Sequence, residues 1–112
     1  MNNKIKKPVT KLIKLDGTKK YQPLLKKELG SLKIRSGYVV LRKGENVGEH
    51  TTNNVEEMLI ILEGKADVMV NKKKTIKIDK NSIVYLPPNT VHDVKNTLHK
   101  ILRYIYVTSP TD

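Results

Sequence analysis

The sequence contains no cysteine, no phenylalanine and no tryptophan. The first absence excludes disulfides, zinc ribbons and thiol nucleophiles together, and it is compatible with a reducing cytosol. The other two leave the core to Ile, Leu and Val, with five tyrosines as the only aromatic rings. Aliphatic side chains bury well against a pleated surface, so such a core is adequate for strands. Long apolar runs are missing too. The longest, residues 58–62, has five residues, whereas a membrane-spanning helix needs roughly 20. The basic N-terminus lacks the apolar stretch of a secretory signal. A soluble, cytoplasmic chain without a membrane partner is therefore expected, and 112 residues suit one domain. Several catalytic motifs are also absent. There is no Gly-x-Ser-x-Gly elbow, phosphate-binding glycine loop, dinucleotide fingerprint or His-Glu-x-x-His helix, which removes the serine hydrolase, kinase and dehydrogenase readings.

Negative charge is scarce. The formal net charge is +11, and residues 1–35 carry eleven Lys/Arg against Asp16 and Glu28. The remaining 77 residues balance eleven basic groups against nine acidic ones. Nineteen of the 22 basic residues are Lys, a point charge without the planar fork of Arg. Tyr21 is the only aromatic in the basic third, so no stacking platform for single strands exists there. A Lys-rich solvated surface is favoured over a nucleic-acid partner.

What is present reads as strands. Residues 9–15 suit an edge strand guarded by lysines, and Asp16-Gly17 is a turn signal. Residues 24–29, closed by Gly30, fit either one helical turn or a loop. From residue 31 onward the pattern is β: strands are expected at 32–42, 56–62, 65–70, 75–79, 82–86, 91–95 and 100–108. Gly37 suggests a bulge or bend in the first of these, and Pro87-Pro88 stops the fifth. Short, closely spaced strands without a long helix argue for an antiparallel sandwich or barrel. Along 57–62, Glu57, Leu59 and Ile61 share one face and Met58, Ile60 and Leu62 the other. Both faces are apolar, so both need cover. One would be the barrel interior. The other would be sealed by a second sheet, the N-terminal segment or a second copy of the chain, and a homodimer is expected on that ground.

Two spaced motifs stand out. The first runs Gly44, five residues, His50, one residue, Thr52, four residues, Glu57, six residues, Gly64. The second runs Asn81, five residues, Pro87, one residue, Asn89, two residues, His92, three residues, Asn96. Together they resemble the paired motifs of the cupin superfamily, with Thr52 where that family has a second histidine and Asn81 and Asn89 where it has glycines. The resemblance covers residues 36–108. It implies an all-β fold, an antiparallel cupin-type jelly-roll β-barrel (double-stranded β-helix) over residues 31–112. Residues 1–30 would form an N-terminal strand or loop extension in dimer contact. Asn tolerates positive φ, so the two Gly-to-Asn departures leave the turns intact.

The resemblance also implies a site. His50, Glu57 and His92 would hold one divalent transition metal (Fe, Mn, Zn or Ni) in the barrel mouth, two imidazoles and a carboxylate leaving positions open. Thr52 would hold a metal-bound water or stand behind the ligands. Arg103 either snorkels at the surface or reaches into the cup to hold an anion. Tyr38, Tyr85, Tyr104 and Tyr106 are core or interface residues first, and any hydroxyl reaching the cup could orient a substrate; Tyr38 is taken with Thr52 and Arg103 as the candidate set around the ligand. The neighbours of the trio are read as non-ligands, with Glu56 and Asp93 on the opposite strand faces and His99 in a turn. The function expected is binding or turnover of a small polar molecule, an acid or a sugar. Such proteins include dioxygenases, isomerases, epimerases, decarboxylases and lyases, among which fold does not choose. The alternative is a metal-free, non-catalytic cup or scaffold.

Overall fold

The computed structural model describes residues 7–111. Alternating side chains on short runs build nine strands there. They are β1 (Tyr21–Leu25), β2 (Arg35–Leu41), β3 (His50–Thr51), β4 (Val55–Glu63), β5 (Lys65–Val70), β6 (Lys74–Asp79), β7 (Ser82–Leu86), β8 (Val91–Lys95) and β9 (Leu102–Pro110). One 3-10 turn, Lys27–Leu29, follows β1 and ends at Gly30, whose φ of 94° is left-handed. The strands form two antiparallel sheets, ordered β1-β2-β9-β4-β7 and β3-β8-β5-β6. No helix among the described residues is long and apolar enough to cross a membrane.

The core lies between the sheets. Val39, Leu41, Leu59, Ile61 and Leu102 of the five-stranded sheet meet Ala66, Val68, Ile78 and Val94 of the other. Each fully buried aliphatic side chain contributes about 1.5–3 kcal/mol by leaving water. In β4 alternate residues Glu57, Leu59 and Ile61 are buried while Met58 and Ile60 are half-buried and Leu62 is exposed. The two left-handed turns expected at Asn81 and Asn89 are present, with φ of 66° and 60°.

Two expectations are corrected. Residues 9–15 form no strand. The five-stranded sheet ends instead on β1, inside the stretch read as an extension, and the segment before it lies against the sheet's outer side. Only Ile13 of that segment packs there, onto Leu24, Tyr38 and Val40, so the apolar alternation has nothing to seat it. A side chain replaces the ladder: Gln22 Nε2 donates to Lys14 O at 3.0 Å, and its Oε1 accepts from Asp16 N at 2.7 Å. Gly37 marks no bulge in its own strand. The irregularity lies opposite, between Pro23 and Leu25 of β1. A Cβ at Gly37 would come within 2.5 Å of the Tyr106 ring and 2.6 Å of the Tyr21 ring, so the glycine makes room for those two stacked rings. Residues 1–6, including part of the Lys-rich third, lie outside the described residues.

Candidate metal centre

The trio is assembled from both sheets. In the four-stranded sheet β3 pairs with β8 so that His50 faces His92 directly, their ring centroids 4.1 Å apart. Glu57 points inward from β4 of the facing sheet, and its Oε1 lies 3.2 Å from His92 Nε2. One ligating atom from each of the three residues lies within 4.8 Å of the other two. Glu57 and His92 are buried, whereas His50 sits exposed at the rim.

Both imidazoles are tied from behind. His50 Nδ1 lies 2.9 Å from Gly48 O, and His92 Nδ1 lies 3.1 Å from Thr90 O. A carbonyl only accepts, so each Nδ1 carries a proton and donates it. That assignment leaves Nε2 of each ring as the coordinating atom, the arrangement that orients a metal-binding histidine. Two borderline nitrogens and a hard carboxylate oxygen suit a divalent transition ion and do not saturate it. The donor set therefore fits a metal.

The electrostatics of His92 point the same way. Burial pushes its imidazole down, but the hydrogen bond to Glu57, the bond to Thr90 O and the charges of Glu57 and Asp93 outweigh this. The net result is a value above that of an ordinary histidine. The shift favours a second proton on this ring, on the Nε2 that faces Glu57.

Asp93 holds the loop that carries His50. It lies on the opposite face of β8, as alternation requires, and its carboxylate accepts from Gly48 N at 3.0 Å and Asn46 Nδ2 at 2.9 Å. Gly48, at a φ of 99°, thus donates its N–H to Asp93 and accepts from His50 through its carbonyl. Residue spacing alone does not reveal this role. A buried carboxylate flanking a ligand histidine is the signal that could have.

The trio opens onto a cavity of about 370 Å³ whose walls include Thr52, Tyr104, Tyr106 and Tyr21. Among the described residues no Lys or Arg lines it. Of the other candidates, Thr52 faces the cavity, but its hydroxyl donates to Pro87 O at 2.8 Å and accepts from Thr90 N at 2.9 Å. Its proton is thus committed to the backbone of the β7–β8 turn. Arg103 and Tyr38 are corrected. They lie on the outer face of the five-stranded sheet, because Tyr104 and Val39 take the inward positions of β9 and β2. Arg103 Nε sits 3.0 Å from Glu63 Oε1, and its NH1 donates to Tyr38 Oη at 3.1 Å. Neither reaches the cup. Glu56 also points away and accepts from Tyr85 Oη at 2.9 Å. His99 is exposed, 3.5 Å from Lys43 Nζ.

The family model described as "Cupin domain" matches residues 37–108. Among solved structures, the chain is similar to the cupin domain of Schizosaccharomyces pombe Cnp3, at 22% identity and a TM-score of 0.71, covering 80% of this chain and 63% of that one. It is similar to a cupin of double-stranded β-helix fold from Methanocaldococcus jannaschii, at 22% identity and a TM-score of 0.74, covering 92% and 93%. A third is a Thermotoga maritima protein described as a predicted oxalate decarboxylase, at 25% identity and a TM-score of 0.73, covering 80% and 78%. The search of curated proteins finds no match.

Proposed function

This chain belongs to the cupin domain family, and from that premise we propose that its barrel holds one divalent transition metal on His50, Glu57 and His92 and presents it to a small polar molecule. The observation that carries the reading is the convergence of three ligating atoms within 4.8 Å while both Nδ1–H groups are turned back onto backbone carbonyls. Iron, manganese, zinc or nickel suits the set. When bound, the ion supplies a Lewis acid that polarises a carbonyl or carboxylate. The chain's own residues supply orientation and exclusion of water: His92 and Glu57 are buried, and aliphatic residues such as Val39 and Val94 wall the cup. An acid is favoured over a sugar. Among the described residues no Lys or Arg lines the cup, so a metal would give an anion a positive partner, and the 25% identical Thermotoga protein is described as a predicted oxalate decarboxylase.

Metal analysis of protein purified without a chelating tag tests this. Near-stoichiometric transition metal is expected in the wild type and none in His92→Ala. A wild type free of metal, which also takes up none on addition, overturns it. A second reading, a metal-free cup, is favoured by one observation: His92 and Glu57 satisfy each other directly at 3.2 Å.

We also propose that a second copy of the chain covers the outer face of β4 and β7. Ile83 and Tyr85 are 59% and 56% exposed there, beside Leu62 and the half-buried Met58 and Ile60. An apolar sheet face of this kind needs cover. Sedimentation at micromolar concentration should show a dimer, and a 12.8 kDa species alone overturns the proposal.

A further inference from the structure

The cup contains a hydroxyl that no other described residue engages. Tyr104 lies on the inward face of β9, is 2% exposed and bounds the cavity. Among the described residues the other four tyrosines have their oxygens engaged. Tyr21 and Tyr106 share a hydrogen bond of 2.7 Å, Tyr38 accepts from Arg103 and Tyr85 donates to Glu56. Tyr104 has no such bond; burial and the charges of Glu57, Tyr106 and Asp93 are what act on it. No fully enclosed side-chain N or O atom among the described residues lacks a partner, so the Tyr104 oxygen is not sealed in the core and opens on the cavity. A hydroxyl held unpaired at this depth costs stability. The ring would pack as well without it.

We propose that Tyr104 Oη donates a hydrogen bond to the molecule bound in the cup, selecting ligands that set an acceptor oxygen, above all a carboxylate oxygen, beside it. The inference rests on the metal reading, since the ion would hold the same ligand. Burial, reinforced by the Glu57 charge, pushes the phenol well above its ordinary value. It therefore keeps its proton at neutral pH and offers it. With no Lys or Arg among the described residues that line the cavity, a carboxylate in the cup would meet the ion on one side and this hydroxyl on another. Loss of a hydrogen bond to a charged acceptor corresponds to roughly ten- to hundredfold in affinity.

The test compares full-length wild type with Tyr104→Phe, which keeps the ring and removes only the hydroxyl. Both are loaded with cobalt(II), whose visible bands report the ion, and both are titrated with acetate followed through those bands. The expected result is equal cobalt loading and a thermal stability no lower than that of the wild type, with acetate bound about ten- to hundredfold more weakly by Tyr104→Phe. Equal acetate affinity in the two chains, with the bands formed in both, overturns this proposal alone. Absence of cobalt bands in the wild type overturns the metal reading and this proposal with it, so the two failures are distinguishable.

Discussion

Replacing Thr52 by valine separates two roles for this residue, support of the turn and support of the metal. Valine keeps the volume of threonine and removes one oxygen. That oxygen is 4% exposed by residue and bridges two strands' ends, donating to Pro87 O at 2.8 Å and accepting from Thr90 N at 2.9 Å. Orphaning a buried polar group costs about 1–3 kcal/mol. The Thr90 N–H is buried and pays in full; Pro87 O is less enclosed and can turn to water. A total of about 2–3 kcal/mol follows for the two groups together. Unfolding a chain of this length carries about 0.24 kcal/mol/K of entropy, so each kcal/mol moves Tm by about 4 °C and the variant should melt about 10 °C lower. Circular dichroism melts of chelator-treated wild type, Thr52→Val and Thr52→Ser provide the assay. Serine keeps the hydroxyl and loses one methyl, worth about 1 kcal/mol or about 4 °C. A Thr52→Val protein that melts within about 2 °C of wild type but has lost its metal would refute the reasoning, because the hydroxyl would then serve the ion and not the turn.

Three further outcomes are expected. The raised His92 value gives the metal-free protein extra stability that is present in full below the unfolded histidine value of about 6.5 and lost as pH rises through the folded one. Metal affinity should run the opposite way, climbing over the same interval as the proton leaves Nε2; denaturant melts and metal titrations from pH 5 to 9 check both signs. Asp93→Ala should free Gly48 and with it the His50 ring, lowering metal affinity by about 10- to 100-fold; an unchanged metal dissociation constant would remove Asp93 from the site. Gly37→Ala should push the Tyr21 and Tyr106 rings apart and cost about 1–3 kcal/mol, the penalty of overpacking, measured by urea denaturation.

What was legible in the sequence follows from how local its cause is. Strands β5, β7 and β8 have the expected ends because each is bounded by residues whose preference is intrinsic: Gly64 at a φ of 82°, Asn81 and Asn89 at positive φ, and Pro87 beyond the last donor of β7. The trio was legible because its spacing resembles the paired motifs of the family. Alternation fixes the face of His50, Glu57 and His92 from near neighbours alone, and the β3–β8 register then sets one imidazole opposite the other. Arg103 marks the limit. It interrupts an apolar strand, which leaves both the surface and the cup open to it, and only Glu63, Tyr38 and Gly17 O around it decide for the outer face. Those partners are distant in sequence, as are Thr52 from Pro87 and Gln22 from the Lys14 carbonyl. Alternation says which way a side chain points and is silent on which polar atom meets it there. The same distinction gives Tyr104 its interest. Period two puts its ring in the cup along with Tyr106, and only the full set of hydrogen bonds among the described residues shows that one of the two hydroxyls is already engaged and the other has no partner.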